Sequence, residues 1–291
     1  MFKRVLVANR GEIALRVIRA CRELGLPAVA VYSDADRDAL HTRVADAAYR
    51  IGPAAASQSY LHVERILSVA REAQCDALHP GYGFLAENAG FARACAAAGI
   101  VFIGPAPDAM DRMGDKIAAR RTAQAAGFPI VPGTTQPVTS AQQARALADS
   151  FGYPIAIKAA AGGGGKGLKV AHSAADLEQA LSLAAKEAQA YFNDATLYVE
   201  RYLAHPKHVE IQILGDRHGN VIHLGERDCS LQRRHQKLVE ETPACISAEL
   251  RARMHAAAVQ LGTATRYDSA GTIECLVEGE QFYFLEMNTR I

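Results

Sequence analysis

The sequence predicts an α/β protein: an N-terminal domain on a parallel sheet, followed by an α+β domain with antiparallel strands. Three observations carry this. Short apolar runs alternate with helical patterns through the first third of the chain. Gly104-Pro105 and Pro107 then punctuate it. Two strand-like runs close it around a Glu278-Gly279-Glu280 turn.

Residues 4–8 read as a buried strand, and a helix follows over 12–24 after Asn9-Arg10-Gly11. Gly25 stops that helix and Pro27 forbids its continuation. A strand at 28–32, an amphipathic helix at 61–73 and a strand at 76–79 come next. The loop Pro80-Gly81-Tyr82-Gly83, a helix at 91–98 and a strand at 100–103 complete the βαβ series. Met113-Gly114-Asp115-Lys116 opens a new helix, so the domain change falls near 105–115, giving domains 1–112 and 113–291. Pro129, Pro132 and Gly133 mark a further boundary.

The second domain begins with a strand at 154–159, a glycine run and a strand at 168–171. A helix at 174–189 and strands at 196–202, 208–214 and 221–224 follow. A helix at 248–261 and a hairpin of 271–277 with 281–287 end the chain.

Composition narrows the function. Lys+Arg 32 against Asp+Glu 31 argues against a bulk nucleic-acid binder, whose affinity comes from phosphate neutralisation. The apolar stretch at 5–8 is too short for a signal core and that at 94–103 too short for a membrane span. Six cysteines with no CxxC pairing read as reduced, and a cytoplasmic protein is expected.

Four segments carry chemistry. Lys158, Gly162, Gly163, Gly164, Gly165 and Lys166 lie between two strands. Glycines have no Cβ, so their N–H groups can close on phosphate oxygens beside the lysines. A flexible linker is the plainer reading, but linkers seldom join two paired strands and carry lysines. The order of lysine and glycines differs from a Walker A loop. On the closing hairpin, alternation puts Glu286 and Asn288 on one face, with Glu274 placed to oppose them. Either these oxygens hold Mg²⁺ or the face is simply solvated. The polar stretch from Glu226 to Lys237 reads as an Arg/His/Lys loop suited to a small anion. His79-Pro80-Gly81-Tyr82-Gly83-Phe84-Leu85-Ala86-Glu87-Asn88 lies at a strand's C-terminal end, where α/β sheets place ligands. Cys229 reads as a packing residue rather than a nucleophile.

Together these segments resemble the biotin carboxylase family of ATP-grasp ligases over essentially the whole chain. Val7-Ala8-Asn9-Arg10-Gly11-Glu12-Ile13-Ala14 resembles its opening, and His79 to Asn88 its HPGYGFLxEN loop. Met113-Gly114-Asp115-Lys116, the Lys158 glycine loop, the Glu226 to Lys237 stretch and Glu286-Met287-Asn288-Thr289-Arg290 complete six motifs in family order.

The resemblance implies a pre-ATP-grasp, Rossmann-like domain, then an ATP-grasp domain with a lid subdomain at about 131–203. It implies that Lys116 and Lys158 hold ATP phosphates and that Gly162 to Gly165 form a flap. Glu200, Leu203, His208 and Gln232, with His235, would line the adenosine pocket. Glu274, Glu286 and Asn288 would hold Mg²⁺ or Mn²⁺, and Lys237 and Arg290 would handle bicarbonate and carboxyphosphate. The implied reaction carboxylates biotin on a carrier domain. The wording of residues 231–241 resembles acyl-CoA carboxylase α subunits of fatty acid metabolism, whose partner is a carboxyltransferase subunit. No nucleic acid or membrane partner is implied.

Ala161 stands where many relatives have another glycine. The sequence ends at Ile291, before the family's Gln-Val-Glu stretch with its general base, a later arginine, and the C-terminal lobe with its dimer surface. The ATP-grasp domain is therefore expected to be incomplete, the chain not to carboxylate biotin, and a homodimer to form only in the complete enzyme. The alternatives are another ATP-grasp ligase, or an ATP-binding remnant that docks to partner subunits.

Overall fold

A computed structural model of the chain describes residues 2–160, 167–234 and 236–291. They form two compact units. The first comprises Met1–Asp111, Tyr267–Ala270 and Thr289–Ile291, and the second Arg112–Arg266 and Gly271–Asn288.

The elements run β1 (Val5–Val7), α1 (Gly11–Glu23), β2 (Ala28–Ser33), α2 (Leu40–Val44), β3 (Ala47–Gly52), α3 (Val63–Glu72), β4 (Ala77–His79), α4 (Ala89–Ala97) and β5 (Val101–Phe102). The strands make one parallel sheet in the order β3-β2-β1-β4-β5. A central parallel strand must be apolar on both faces, because helices cover both. Val5 and Val7 accordingly pack with Ile13, Ala14, Val17, Ile18 and Cys21 of α1. Leu6, between them, joins Ile66 and Leu67 of α3 and Phe91 of α4 on the other face. The order reverses between β1 and β4, and their C-terminal ends lead into Asn9 and the His79–Asn88 loop. The buried Asn9 amide donates to the carbonyls of Pro80 at 2.7 Å and Tyr82 at 2.8 Å. Gly81 is required beside it: its φ is +66° and a Cβ would lie 2.8 Å from Asn9 Nδ2.

At the C-terminal end of β2, Asp36 is buried. It accepts from Arg10 at 2.8 and 2.6 Å, from the Ser33 hydroxyl at 3.0 Å and from the Tyr60 phenol at 2.7 Å. The Arg10 hydrogen bond outweighs burial and, with Tyr60 and Ser33, holds the carboxyl at about 2. This network ties the β1–α1 turn to β2.

The remaining elements are α5 (Pro107–Gly114), α6 (Lys116–Ala125), α7 (Ala141–Phe151), β6 (Ile155–Ala159), β7 (Lys169–Ala171), α8 (Leu177–Phe192), β8 (Leu197–Arg201), β9 (Lys207–Gly215), β10 (Val221–Asp228), β11 (Gln232–Arg233), β12 (Gln236–Lys237), α9 (Ala248–Ala264), β13 (Ala270–Glu278) and β14 (Gln281–Asn288). Antiparallel β7-β6-β8 packs its apolar face on Ala144 and Ala148 of α7 and Leu177, Ala180, Ala184 and Ala188 of α8. Small residues on both helices let them lie close to the sheet. The sheet β10-β9-β13-β14, antiparallel in its β10–β9 and β13–β14 pairs, is covered by α9. Gly262 allows the approach, since a Cβ there would lie 2.8 Å from Val221.

Several expectations need correction. A helix starts at Pro107, because proline's fixed φ and missing N–H suit the first helical position. Asp115 then caps α6, accepting from the Ala118 N–H at 2.7 Å. Residues 129–138 are not a bare boundary. They are sewn to strands through Ile130↔Phe284, Gly133↔Glu200 and Val138↔Leu197 bridges. A Cβ on Gly133 would lie 2.5 Å from the Val199 oxygen, so glycine permits that contact. β3 lacks a clear apolar period in sequence, whereas α7 is a further helix whose Ala141, Ala144, Ala148 and Phe151 fall at helical spacing. Glu226 to Asp228 are strand rather than loop, and Gln232–Arg233 pairs antiparallel with Gln236–Lys237. Buried Glu226 binds Arg251 at 2.6 Å and His255 at 2.8 Å, so it anchors α9 instead of facing an anion. No helix among the described residues is long and apolar enough to cross a membrane. All six cysteines are unpaired, and Cys245 alone is exposed.

Candidate functional site

The second unit contains a cleft of about 370 Å³. Lys116, Lys158, Glu200, Leu203, His208, Gln232, Glu274 and Glu286 all line it. Each arrives for a local reason. Lys116 is the first residue of α6, fixed by the Asp115 cap. Lys158 and Glu200 are neighbours because β6 and β8 pair Ala156 with Glu200 and Lys158 with Tyr198. Leu203 follows β8 directly, buried. Glu274 and Glu286 are register partners on β13 and β14.

Charge is closely balanced. Lys158 Nζ pairs with Glu200 Oε1. Burial alone would lower its pKa, but the Glu200 carboxylate and the Tyr198 phenol raise it overall. Burial pushes the Tyr198 phenol up to about 12. Lys116 lies 3.5 Å from Glu286. Lys237 Nζ donates to Glu274 at 2.8 Å and pairs with Glu210. His208 Nε2 is 2.9 Å from the other Glu274 oxygen, and Gln232 sits 2.8 Å from His208 Nδ1. Burial would raise Glu274, yet the His208 and Lys237 bonds and charges hold it at about 2. Burial likewise would lower Lys237, and its bonds to Glu210 and Glu274 raise it.

Asn288 joins the carboxylates: its Nδ2 donates to Glu274 Oε1 at 2.7 Å. Glu274, Glu286 and Asn288 thus present an oxygen-rich set that fits a hard divalent cation. Three basic side chains already converge on the two carboxylates, which shows that this wall requires positive counter-charge. His208, Glu210 and Glu274 also offer ligand atoms within 4.8 Å of one another. The wall with Lys116 and Lys158 suits a polyanion, and the Glu274–Glu286 wall suits its cation.

Arg290 belongs to the first unit, 3.9 Å from Glu87. There Glu87 also accepts from the Thr289 N–H at 2.9 Å. Gly162 to Gly165 and His235 lie outside the described residues. Cys229 is buried, and burial pushes its thiol up to about 12, as suits a packing residue.

Two residues that sequence reasoning passed over belong to this arrangement. Glu210 carries half of the Lys237 contact. Its period-2 relation to His208 was the available signal. Arg120, one helical turn after Lys116, donates to Glu200 Oε2 at 2.7 Å. Nothing local distinguished it from an exposed helix arginine.

Residues 1–110 match the family "Biotin carboxylase, N-terminal domain". Residues 115–291 match "Carbamoyl-phosphate synthase L chain, ATP binding domain". A pyruvate carboxylase subunit from Methanothermobacter thermautotrophicus is 53% identical over 292 residues, covering 100% of this chain and 60% of that protein. A biotin carboxylase from Campylobacter jejuni, solved as a βγ-ATP complex, superposes with TM-score 0.97 at 49% identity, covering 100% of this chain and 66% of that one. The biotin carboxylase domain of Hydrogenobacter thermophilus 2-oxoglutarate carboxylase, solved as a dimer with MgADP, ADP and bicarbonate, gives TM-score 0.94 at 47% identity over 100% of this chain and 64% of that one. The chain thus spans about two thirds or less of these relatives' length.

Proposed function

This chain belongs to the biotin carboxylase family of ATP-grasp ligases, and we propose that it serves the ATP-dependent carboxylation of biotin by bicarbonate. The observation that carries the reading is the single cleft bearing Lys116 and Lys158 beside the Glu274–Glu286 pair. Lys116 and Lys158 grip the phosphates of ATP. Leu203, Glu200, His208, Gln232 and His235 take the adenosine. Glu274, Glu286 and Asn288 would hold Mg²⁺, or Mn²⁺ in its place, and a bound cation would supply charge neutralisation for the phosphates.

Bicarbonate attacks the γ-phosphorus, and the bond to the β-phosphate oxygen breaks. Carboxyphosphate and ADP result. Carboxyphosphate then breaks down to CO₂ and phosphate, the phosphate takes the proton from N1′ of biotin on a carrier domain, and the CO₂ bonds to that nitrogen. Lys237 orients bicarbonate and offsets the charge of carboxyphosphate, a role that the family resemblance also gives Arg290. The protein's work is positioning and charge neutralisation, as in other phosphoryl transfers. The Campylobacter and Hydrogenobacter structures, named for complexes with ATP or ADP, magnesium and bicarbonate, support this ligand set.

A biotin carrier and a carboxyltransferase are the proposed partners, with a homodimer as the working assembly. The relatives' names carry pyruvate and 2-oxoglutarate, so they support the shared biotin step. The acceptor, acyl-CoA on the wording of residues 231–241, is selected by the carboxyltransferase. Six unpaired thiols support a reducing compartment such as the cytoplasm.

The test is ADP release from MgATP by the native polypeptide, with and without bicarbonate and biotin. In a polypeptide extended over the full length of the relatives, release that requires both, with labelled bicarbonate appearing on biotin, is expected. Release indifferent to bicarbonate overturns the proposal.

A further inference from the structure

We infer that Arg120 is a positioning residue for Lys158: it holds the Glu200 carboxylate so that Lys158 can turn to a polyphosphate without stranding a buried charge. The inference deepens the nucleotide-binding reading of Lys158 and rests on it.

Arg120, Glu200 and Lys158 come from α6, β8 and β6 and form one buried ion triad. Arg120 Nη1 lies 2.7 Å from Glu200 Oε2, and Lys158 takes Oε1. The side chains of Arg120 and Glu200 are 2% and 4% exposed, whereas Lys158 is 18% exposed and lines the cleft. Arg120 is absent from the cleft wall, so it does not meet a ligand there. Its other donors are committed, Nη2 to the Val131 oxygen at 2.9 Å and Nε to the Thr134 oxygen at 3.3 Å. The guanidinium carbon also lies 5.4 Å from the centre of the Tyr198 ring. It is fixed on every side.

Counting charges gives the consequence. Two cations share one carboxylate, so the triad is positive by one. When the Lys158 ammonium swings to a phosphate, Glu200 keeps Arg120. Without Arg120, the same swing leaves a buried carboxylate with no partner, which is strongly unfavourable. Lys158 is then locked to Glu200 as a neutral pair and is lost to the ligand. A residue that only glued residues 131–134 to β8 would affect every ligand of the cleft alike. A residue that sets the freedom of Lys158 affects phosphate alone, and neutralising Glu200 relieves its loss.

The experiment uses calorimetry on the native polypeptide with two probes, magnesium tripolyphosphate and adenosine. Arg120→Gln, which keeps donors but not charge, is expected to weaken tripolyphosphate by about tenfold or more and adenosine by less than about threefold. Arg120→Gln with Glu200→Gln restores tripolyphosphate to within about threefold of wild type, and Arg120→Lys stays in that range. Equal losses for both probes, or a double variant as weak as the single, overturn the inference. If melting curves show Arg120→Gln unfolded, a double variant or Arg120→Lys weaker than wild type by more than about tenfold does the same. Lys158→Ala separates the two claims. If it leaves tripolyphosphate binding intact, the reading of Lys158 fails, whereas a loss there with normal binding by Arg120→Gln removes only Arg120.

Discussion

Glu274 and Glu286 face one another as register partners on β13 and β14, yet each carboxylate meets a lysine from a different element. Lys237 of β12 lies 2.8 Å from Glu274, and Lys116 of α6 lies 3.5 Å from Glu286. Two acids side by side on a sheet would repel. Here the lysines, with His208, supply the counter-charge that the two side chains meet.

The Glu274 contacts make stability depend on pH. Its folded value, about 2, lies below the ordinary 4.5. A depressed carboxylate stabilises the fold above its unfolded value and loses that contribution as pH falls toward the folded one. Glu274→Gln should therefore cost on the order of 3 kcal/mol near neutrality, with the gap to wild type shrinking between pH 4.5 and about 2. Urea unfolding of both proteins across that window checks it. A gap that does not change with pH would remove Glu274 from the linkage.

Lys237→Met should separate binding from turnover. The Glu200 side of the cleft is untouched, so MgATP affinity should stay within a few-fold. Bicarbonate-dependent ADP release should fall by at least about a hundredfold, the scale of losing a charge aimed at a developing anion. Calorimetry and a coupled ADP assay give the two numbers.

Magnesium dependence reports on Glu286. Replacing it with Gln removes a charged oxygen, so half-maximal ADP release should need roughly tenfold more Mg²⁺ or above. The biotin KM should not change. Titration of the metal at fixed ATP measures this, and an unaltered metal requirement would exclude Glu286 as a ligand.

In the first unit, Asp36→Asn deprives the exposed Arg10 of its bidentate partner and weakens the buried Tyr60 and Ser33 bonds. The expected loss is about 2–4 kcal/mol, against about 1 kcal/mol for Tyr60→Phe, which removes one hydrogen bond. Thermal melting ranks the two variants. Equal effects would mean that the Arg10–Asp36 pair adds nothing.

Much of the fold was legible because it is written locally. Apolar residues at alternate positions gave β13 and β14. Gly25 and Pro27 ended α1, and apolar runs between turns gave β1, β2 and β4. Where the period was weak, as in β3, or broken by a bulge, as between His223 and Glu226 of β10, the reading failed. A bulge adds one residue and reverses the expected alternation beyond it.

The sequence by itself determined most of the strand and helix series, the shared face of Glu286 and Asn288, and the six motifs in family order, while a bulge at Glu274/Cys275 sets Glu274 opposite Glu286. Those depend on neighbours in the chain, on the period-2 geometry of a strand, and on a short hairpin turn. Only the tertiary structure decided that Glu226 is an anchor of α9, that Glu210 shares Lys237 with Glu274, and that Arg120 stands behind Lys158. Arg120 and Glu200 are far apart in the chain, and their contact exists because α6 packs beside the sheet that carries β8. Burial makes such an ion pair decisive by removing competing water, and burial belongs to the packed assembly of elements.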